Sequence, residues 1–424
     1  MSATTLPKPR TFRDPVHDII DWKRDPDGAL VCGLIDTREM QRLRHVRQLG
    51  LASFVFHGAE HSRFSHSIGV AHVARRMCDQ LGLVGARRTA TIAAALLHDI
   101  GHAPFSHVFE RVFRFHHEQK SAEIILDPSS DVFAVLTHVD SDLPQSVTEL
   151  VTGESTHWSR DLVSSQLDAD RADYLLRDAK MTGALVGSYD LERILLMLDH
   201  DDTGLLVDVG GYEAVEGYLI ARYHMYRLVY FHRAARSAET MLERLFHRAT
   251  SLASQGDAQA MADGAIGELM RGEAVSASAW AKLGEYEAWS HIARWAEHPD
   301  PVLSKISSGL LERRLFKCNE RRATPEDPEW RTDDLLAERI REELAPGERA
   351  LFYVDEAADT PYRPYLPSES SRGIRIRDAG SRVFFIEERS SVVQGLAASS
   401  YRLRRWFYHP QILPKLQRIT GELW

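Results

Sequence analysis

Apolar and polar positions along this chain follow two different rhythms. From about Asp36 to residue 310 apolar residues recur at helical spacing, and after that short period-two runs take over. The run Ala90-Thr91-Ile92-Ala93-Ala94-Ala95-Leu96-Leu97 is rich in Ala and Leu and predicts a strong, buried helix. Residues 167–181 carry Leu167, Leu175, Leu176 and Ala179 on a second helix, and residues 212–254 read as one long helix. Gly82, Gly101, Gly153, Gly183 and Gly187 punctuate the series. Ahead of it, residues 12–17 and 30–35 read as a short strand pair, with Asp36-Thr37 capping the next helix. Beyond residue 310, Pro325 and Pro328 mark a loop. Thr332 is expected to cap a helix through Leu344, ended by Pro346-Gly347. Residues 350–354, 373–377 and 383–386 read as strands, and a final helix begins near Ser390. These patterns predict a mainly α protein: a flexible tail over residues 1–10, a helical domain over 11–310 and a smaller α+β lobe over 311–424.

Composition narrows the class. The chain has 424 residues, 44% hydrophobic and 27% charged, as in a soluble globular protein. No stretch approaches the ~20 apolar residues that span a bilayer, so no membrane association is expected. The first ten residues lack an apolar h-region, and Cys32, Cys78 and Cys318 are odd in number and far apart. Together these predict a cytoplasmic protein with reduced thiols. A net charge of −9 argues against a nucleic-acid coat protein.

Histidine changes the picture. Of 20 histidines, His57, His61, His66, His72, His98, His102, His107, His116 and His117 crowd into residues 57–117. His98 and Asp99 stand side by side at the end of the apolar helix. A buried carboxylate needs a partner, and a metal ion is one. Imidazole with carboxylate suits Fe, Mn, Zn or Ni, then Mg. Adjacent helical residues point about 100° apart, so both reach one ion only from a helix end, which Gly101 can provide. His66 lies near the first turn of another amphipathic helix. Asp170, Tyr174 and Asp178 fall at i, i+4 and i+8, odd for a core stripe and natural for a pocket wall. A His-Asp pair by itself is as readily a hydrogen-bonded pair, so the residues alone leave both readings open.

Three segments go further: residues 41–50 (Gln41-Arg42-Leu43-Arg44-His45-Val46-Arg47-Gln48-Leu49-Gly50), residues 61–70 (beginning His61-Ser62-Arg63-Phe64-Ser65-His66) and residues 97–107 (Leu97-His98-Asp99-Ile100-Gly101-His102-Ala103-Pro104-Phe105-Ser106-His107). They closely resemble the HD-domain deoxynucleoside triphosphate triphosphohydrolases. The likeness continues through His117-Glu118-Gln119, Asp168-Ala169-Asp170-Arg171 and Arg314-Leu315-Phe316-Lys317. The resemblance implies an HD-domain helical core and one divalent transition metal on His66, His98, Asp99 and Asp170, with Mg accompanying a triphosphate. It implies that Arg63 holds the α-phosphate and that His102, His107 and His117 line the reacting phosphate, with Glu110 where aspartate is common. Tyr174 and Asp178 would wall the sugar, Gln48 would read its 3′-hydroxyl, and Arg222 and Tyr230 would meet phosphates and sugar. Arg171 stands where a phosphate-binding lysine is expected. Asp36, Gln41 and Arg44 match guanine-recognising effector positions, which implies a GTP or dNTP effector and a homo-oligomer, a tetramer. Asp18 replaces an expected glycine, Arg13 an asparagine, and Tyr226 and Phe231 polar residues.

The implied reaction is hydrolysis of a dNTP to deoxynucleoside and triphosphate at the α-phosphate, with His107, or His117 oriented by Glu110, protonating the leaving oxygen. Two rivals remain: a phosphohydrolase for another nucleotide or single-stranded nucleic acid, and a nucleotide sensor without turnover.

Overall fold

The computed structural model describes residues 8–321, 328–359, 373–398 and 401–421. Most of the expected tail, and the loop at Pro325, lie outside them. The chain opens on an antiparallel hairpin, β1 (Arg10–Asp14) and β2 (Asp18–Trp22). In its turn the Asp14 carboxylate accepts from the N–H of Val16 at 2.8 Å and of His17 at 3.0 Å. Asp18 closes the turn at φ 58°, the left-handed region glycine favours, which is the physical reason to expect glycine there. Residues 30–35 are not a strand. They belong to α1 (Pro26–Ile35), which starts on Asp25, whose carboxylate accepts from Gly28 N–H at 2.7 Å. Pro26 fills the first helical position, where a missing N–H costs nothing. Thr37 caps α2 (Arg38–Arg42), as its sequence predicts.

The central element is α3 (Arg63–Gln80), which packs on α4 (Gly85–Leu97). The chain then forms α5 (His107–Phe113), α6 (His117–Leu126), α7 (Asp131–Val139) and α8 (Leu143–Val151), and α8 closes on α4. On the other side of α3 lies α9 (Ala169–Thr182), started by the Asp168 cap and stopped by Gly183 at φ 76°. Gly69 lets these two helices approach: a Cβ there would collide with the Asp173 carboxylate and the Arg177 guanidinium.

After α10 (Leu191–Leu196), β3 (Leu198–Asp201) and β4 (Gly204–Asp208), residues 212–254 are two helices, not one. These are α11 (Tyr212–Met225) and α12 (Arg233–Ser254), separated by a π-turn over Tyr226–Tyr230 in which Phe231 N–H reaches back five residues to the Tyr226 carbonyl at 2.9 Å. Further helices run to Leu311.

The remaining elements mix strand and helix. Strands β5 (Lys317–Arg321), β6 (Phe352–Asp359), β7 (Arg375–Arg377), β8 (Val383–Phe385) and β9 (Tyr401–Tyr408) form two sheets, ordered β3-β4-β7-β8 and β5-β9-β6. The β4–β7 pairing is parallel and joins residues on either side of position 310. A helix at Pro328–Glu343 begins ahead of the expected Thr332 start. Another at Ser391–Ala398 is not the last, since β9 and a helix at Leu413–Thr420 follow. β9 carries Arg402, Arg404 and Arg405, a run that reads equally as a solvated face and as effector or oligomer contacts and gives no strand signal. Arg404 and Arg405 are buried instead, Arg404 paired with Asp334 and Arg405 with Glu320.

Candidate metal centre and active-site cleft

His66, His98 and Asp170 converge from three helix ends. His66 stands in the first turn of α3, Asp170 in the first turn of α9, and His98 directly after the last residue of α4. Their nearest ligand atoms lie within 4.8 Å of one another. His66 Nε2 is 3.0 Å from Asp170 Oδ1, and His98 Nε2 is 3.6 Å from the same oxygen. Asp99 sits at the edge of the group. Its Oδ1 is 3.3 Å from His98 Nε2 and its Oδ2 3.8 Å from His66 Nε2, while Oδ2 also accepts from Arg63. A divalent cation fits this donor set: His98 Nε2 is buried without a hydrogen-bond partner, and two imidazoles with carboxylates are a ligand set of such ions. Gly101 shapes the helix end, since a Cβ there would strike the backbone of His117 and Ser121.

The candidate ligands are held from behind. His98 Nδ1 is 2.9 Å from the Ala95 carbonyl, which leaves Nε2 to face the site. His66 Nδ1 is 2.8 Å from the fully buried Asp173, which also meets His17 Nε2 at 2.7 Å and takes two bonds from Arg177 at 2.8 Å each. Arg177 in turn donates to Asp14 at 2.9 Å. The N-terminal hairpin thus braces the centre across more than 150 residues. Burial works against the charged form of His66, but Asp170 and Asp173 override it and raise the imidazole to about 10. Burial likewise opposes the Asp99 and Asp170 carboxylates, yet their Arg and His neighbours keep both well below the usual range.

A second cluster borders the first. Glu110 on α5 receives His117 Nδ1 at 2.9 Å and His107 Nδ1 at 3.3 Å. His102 Nδ1 is 3.2 Å from the same carboxylate but not aligned for a hydrogen bond. The His102 and His117 rings stack at 3.8 Å. Despite burial, three histidines hold the Glu110 carboxyl far down in its ionised range. Burial, with Arg63 and His117 adding to it, lowers His102 to about 3, so it stays neutral. His107, His117 and Glu110 therefore make a carboxylate-oriented imidazole pair suited to moving a proton. The loop before α5 holds Phe105 and Ser106 at φ 56° and 51°, fixed by burial and by two bonds from Arg63 to Ser106 Oγ at 3.0 and 2.8 Å.

His98, Asp99 and Asp170 of the first cluster and His102, His107 and His117 of the second open on one cleft of about 460 Å³, lined also by Gln48, Arg63, Arg171, Tyr174, Asp178 and Tyr230. Arg171 is tied to Asp168. Arg222 does not line the cleft. Its guanidinium lies 5.5 Å from the Tyr226 ring, and it has no carboxylate partner among the described residues. Tyr230 donates to Asp178 Oδ2 at 2.8 Å, and His61, with no role expected from the sequence, meets Asp178 Oδ1 at 2.8 Å. Asp36, Gln41 and Arg44 lie outside the cleft. Asp36 pairs with Arg10, Gln41 accepts from Arg44 at 2.8 Å, and the Arg44 guanidinium stacks 3.6 Å over Phe64. The arginines of the C-terminal lobe are also candidate phosphate contacts of such an effector: Arg375 is taken up by Asp201, and Arg372 lies outside the described residues. Asp14, His17 and Asp173 also went unassigned from sequence. Their only local signal is the i, i+4 pairing of Asp173 with Arg177.

Residues 63–178, which contain all four expected ligands, match the HD domain, and residues 189–285 match the HD associated region. YwfO of Bacillus subtilis is 34% identical over 436 residues, covering 98% of each chain. This chain belongs to the HD-domain family. Its HD core is also similar to the deoxynucleoside triphosphate triphosphohydrolase SAMHD1 homolog of Dictyostelium discoideum, 33% identical over 260 residues that cover 55% of this chain and 49% of that one. The solved structure of a phosphohydrolase from Bacteroides thetaiotaomicron superposes on the HD protein with a TM-score of 0.79 at 28% identity, covering 95% of this chain and 100% of that one. The family places the HD protein among metal-binding phosphohydrolases of mainly helical fold.

Proposed function

We propose that this chain hydrolyses dNTPs to deoxynucleoside and triphosphate by attack at the α-phosphate. The observation that carries the reading is one cleft lined by His98, Asp99 and Asp170 of the first cluster, by His102, His107 and His117 of the second, and by Asp178 and Tyr230. A divalent cation on the four ligands supplies Lewis-acid chemistry toward a phosphate ester. Arg63 and Arg171 orient the phosphate chain and offset its charge, with Arg222, beside the Tyr226 ring, adding positive potential. His107 or His117, held by Glu110, gives a proton to the departing 5′-oxygen. Tyr174 lies against the sugar, Asp178 and Gln48 accept and donate at its hydroxyls, and Tyr230 keeps Asp178 in place. We further propose a homo-oligomer, a tetramer, with a GTP or dNTP effector at Asp36, Gln41 and Arg44. The Arg44–Phe64 stack supports the effector position alone, because it links that surface to the residue beside Arg63.

The test is a product screen with each dNTP and NTP in the presence of Mn or Mg, chromatographed at early times, with initial rates and light scattering repeated with added GTP. Deoxynucleoside and intact triphosphate are expected, with faster turnover of dNTPs than NTPs. Pyrophosphate or single phosphates as first products would sink the reaction, and rates equal for NTPs would sink the sugar preference. A monomer indifferent to GTP would remove the effector alone.

A further inference from the structure

His61 comes immediately before Ser62, the cap of α3, so it is fixed by the same turn that aims Arg63 and His66. Its carbonyl accepts from the Gln48 N–H at 3.0 Å. Its ring crosses to α9, where Nε2 meets Asp178 Oδ1 at 2.8 Å, a partner 117 residues away. The other carboxylate oxygen accepts from Tyr230 at 2.8 Å. His61 is 8% exposed and Asp178 1%. His61 Nδ1 is buried with no partner, so the polar work of the ring is spent on Asp178. An ionised carboxylate only accepts, so the hydrogen in that bond belongs to His61.

We infer that His61 is a positioning residue for sugar recognition: with Tyr230 it pins both oxygens of Asp178, so that the unused lone pairs face a sugar hydroxyl at a fixed place. The inference rests on the cleft being a nucleotide site, and it adds what sets that site's selectivity. A carboxylate pinned from two sides cannot turn to suit a substrate that brings no donor. It also remains under-bonded when that donor is missing, and such a site rejects the analogue without the hydroxyl. His61 reaches Gln48, Asp178 and Tyr230 together, one by its backbone, one by its ring and one through Asp178.

The experiment compares kcat/KM for a dNTP and its 2′,3′-dideoxy analogue in the wild-type protein, in His61→Phe, which keeps a ring but removes the donor, and in His61→Gln, which keeps a donor at similar reach. The wild-type protein is expected to prefer the dNTP. In His61→Phe that preference drops about tenfold, chiefly through a higher KM for the dNTP and with metal content unchanged, and His61→Gln recovers most of it. If circular dichroism shows His61→Phe unfolded, His61→Ala reads the same loss. An unchanged preference in a folded, metal-loaded variant overturns the inference alone, as does equal use of the dideoxy analogue by the wild-type protein. No turnover of any dNTP by the wild-type protein overturns both the inference and the proposed function beneath it.

Discussion

Asp173→Asn tests how the metal centre is braced. The Asp173 carboxylate is fully buried and meets His66 Nδ1 and His17 Nε2 as well as two nitrogens of Arg177. Asparagine keeps the shape but removes the charge and turns one acceptor into a donor, set against groups that themselves donate. Breaking a buried pair from one side costs about 3–5 kcal/mol, and the lower end applies because Asp14 still accepts from Arg177 at 2.9 Å. Loss of the brace on His66 should weaken metal binding by about 10–100-fold, or about 1.4–2.8 kcal/mol. Melting of the chelator-treated protein reads the first quantity, and competition against a chromophoric chelator reads the second. Asp14→Asn separates the two. It touches Arg177 but not His66, so stability should fall while metal affinity stays within about threefold of wild type. Wild-type metal affinity in Asp173→Asn would refute the claim that Asp173 orients His66.

Two further predictions concern stability. Burial, with His17 and the arginines Arg75 and Arg76 adding to it, lowers His72 to about 4. The unfolded chain takes up that proton near pH 6.5 and the folded chain does not. Stability is therefore full above about pH 6.5 and falls by up to about 3 kcal/mol as the pH drops to 4. His72→Gln should flatten that part of a denaturant-midpoint-against-pH profile, and an unchanged slope would show that His72 is not its source. Asp18→Gly relieves a residue at φ 58° and loses only an exposed pair with Arg13, so the melting temperature should rise, reflecting about 0.5–1 kcal/mol. A lower melting temperature would mean that the Arg13 contact outweighs the backbone.

What could be read from sequence was local. The Ala/Leu run of α4 ends at His98-Asp99, and α9 carries its own cap and glycine stop, so the helices that present the candidate ligands are legible locally. Residues 30–35 did not. A run apolar on every side has no period, and the Asp25-Pro26 start signal stood four residues upstream of it. The break at Tyr226–Tyr230 contains neither proline nor glycine, so nothing in the local chemistry marked it. The pairs His61–Asp178 and His17–Asp173 join distant positions, and only the folded chain reveals them. The burial of Arg404 is hidden for the same reason: its partner Asp334 lies 70 residues earlier.

The π-turn has an evolutionary consequence. A turn that closes five residues back holds one residue more than an α-helical turn, so it behaves as a single-residue insertion absorbed by the hydrogen-bond ladder. Removing one residue between Tyr226 and Tyr230 would rewind the segment and swing Tyr230 and Phe231 by about 100° around the helix axis. α11 and α12 would keep their own ladders. The cleft-lining face of this segment can therefore be re-aimed by a one-residue insertion or deletion, a change that substitutions within a regular helix cannot imitate.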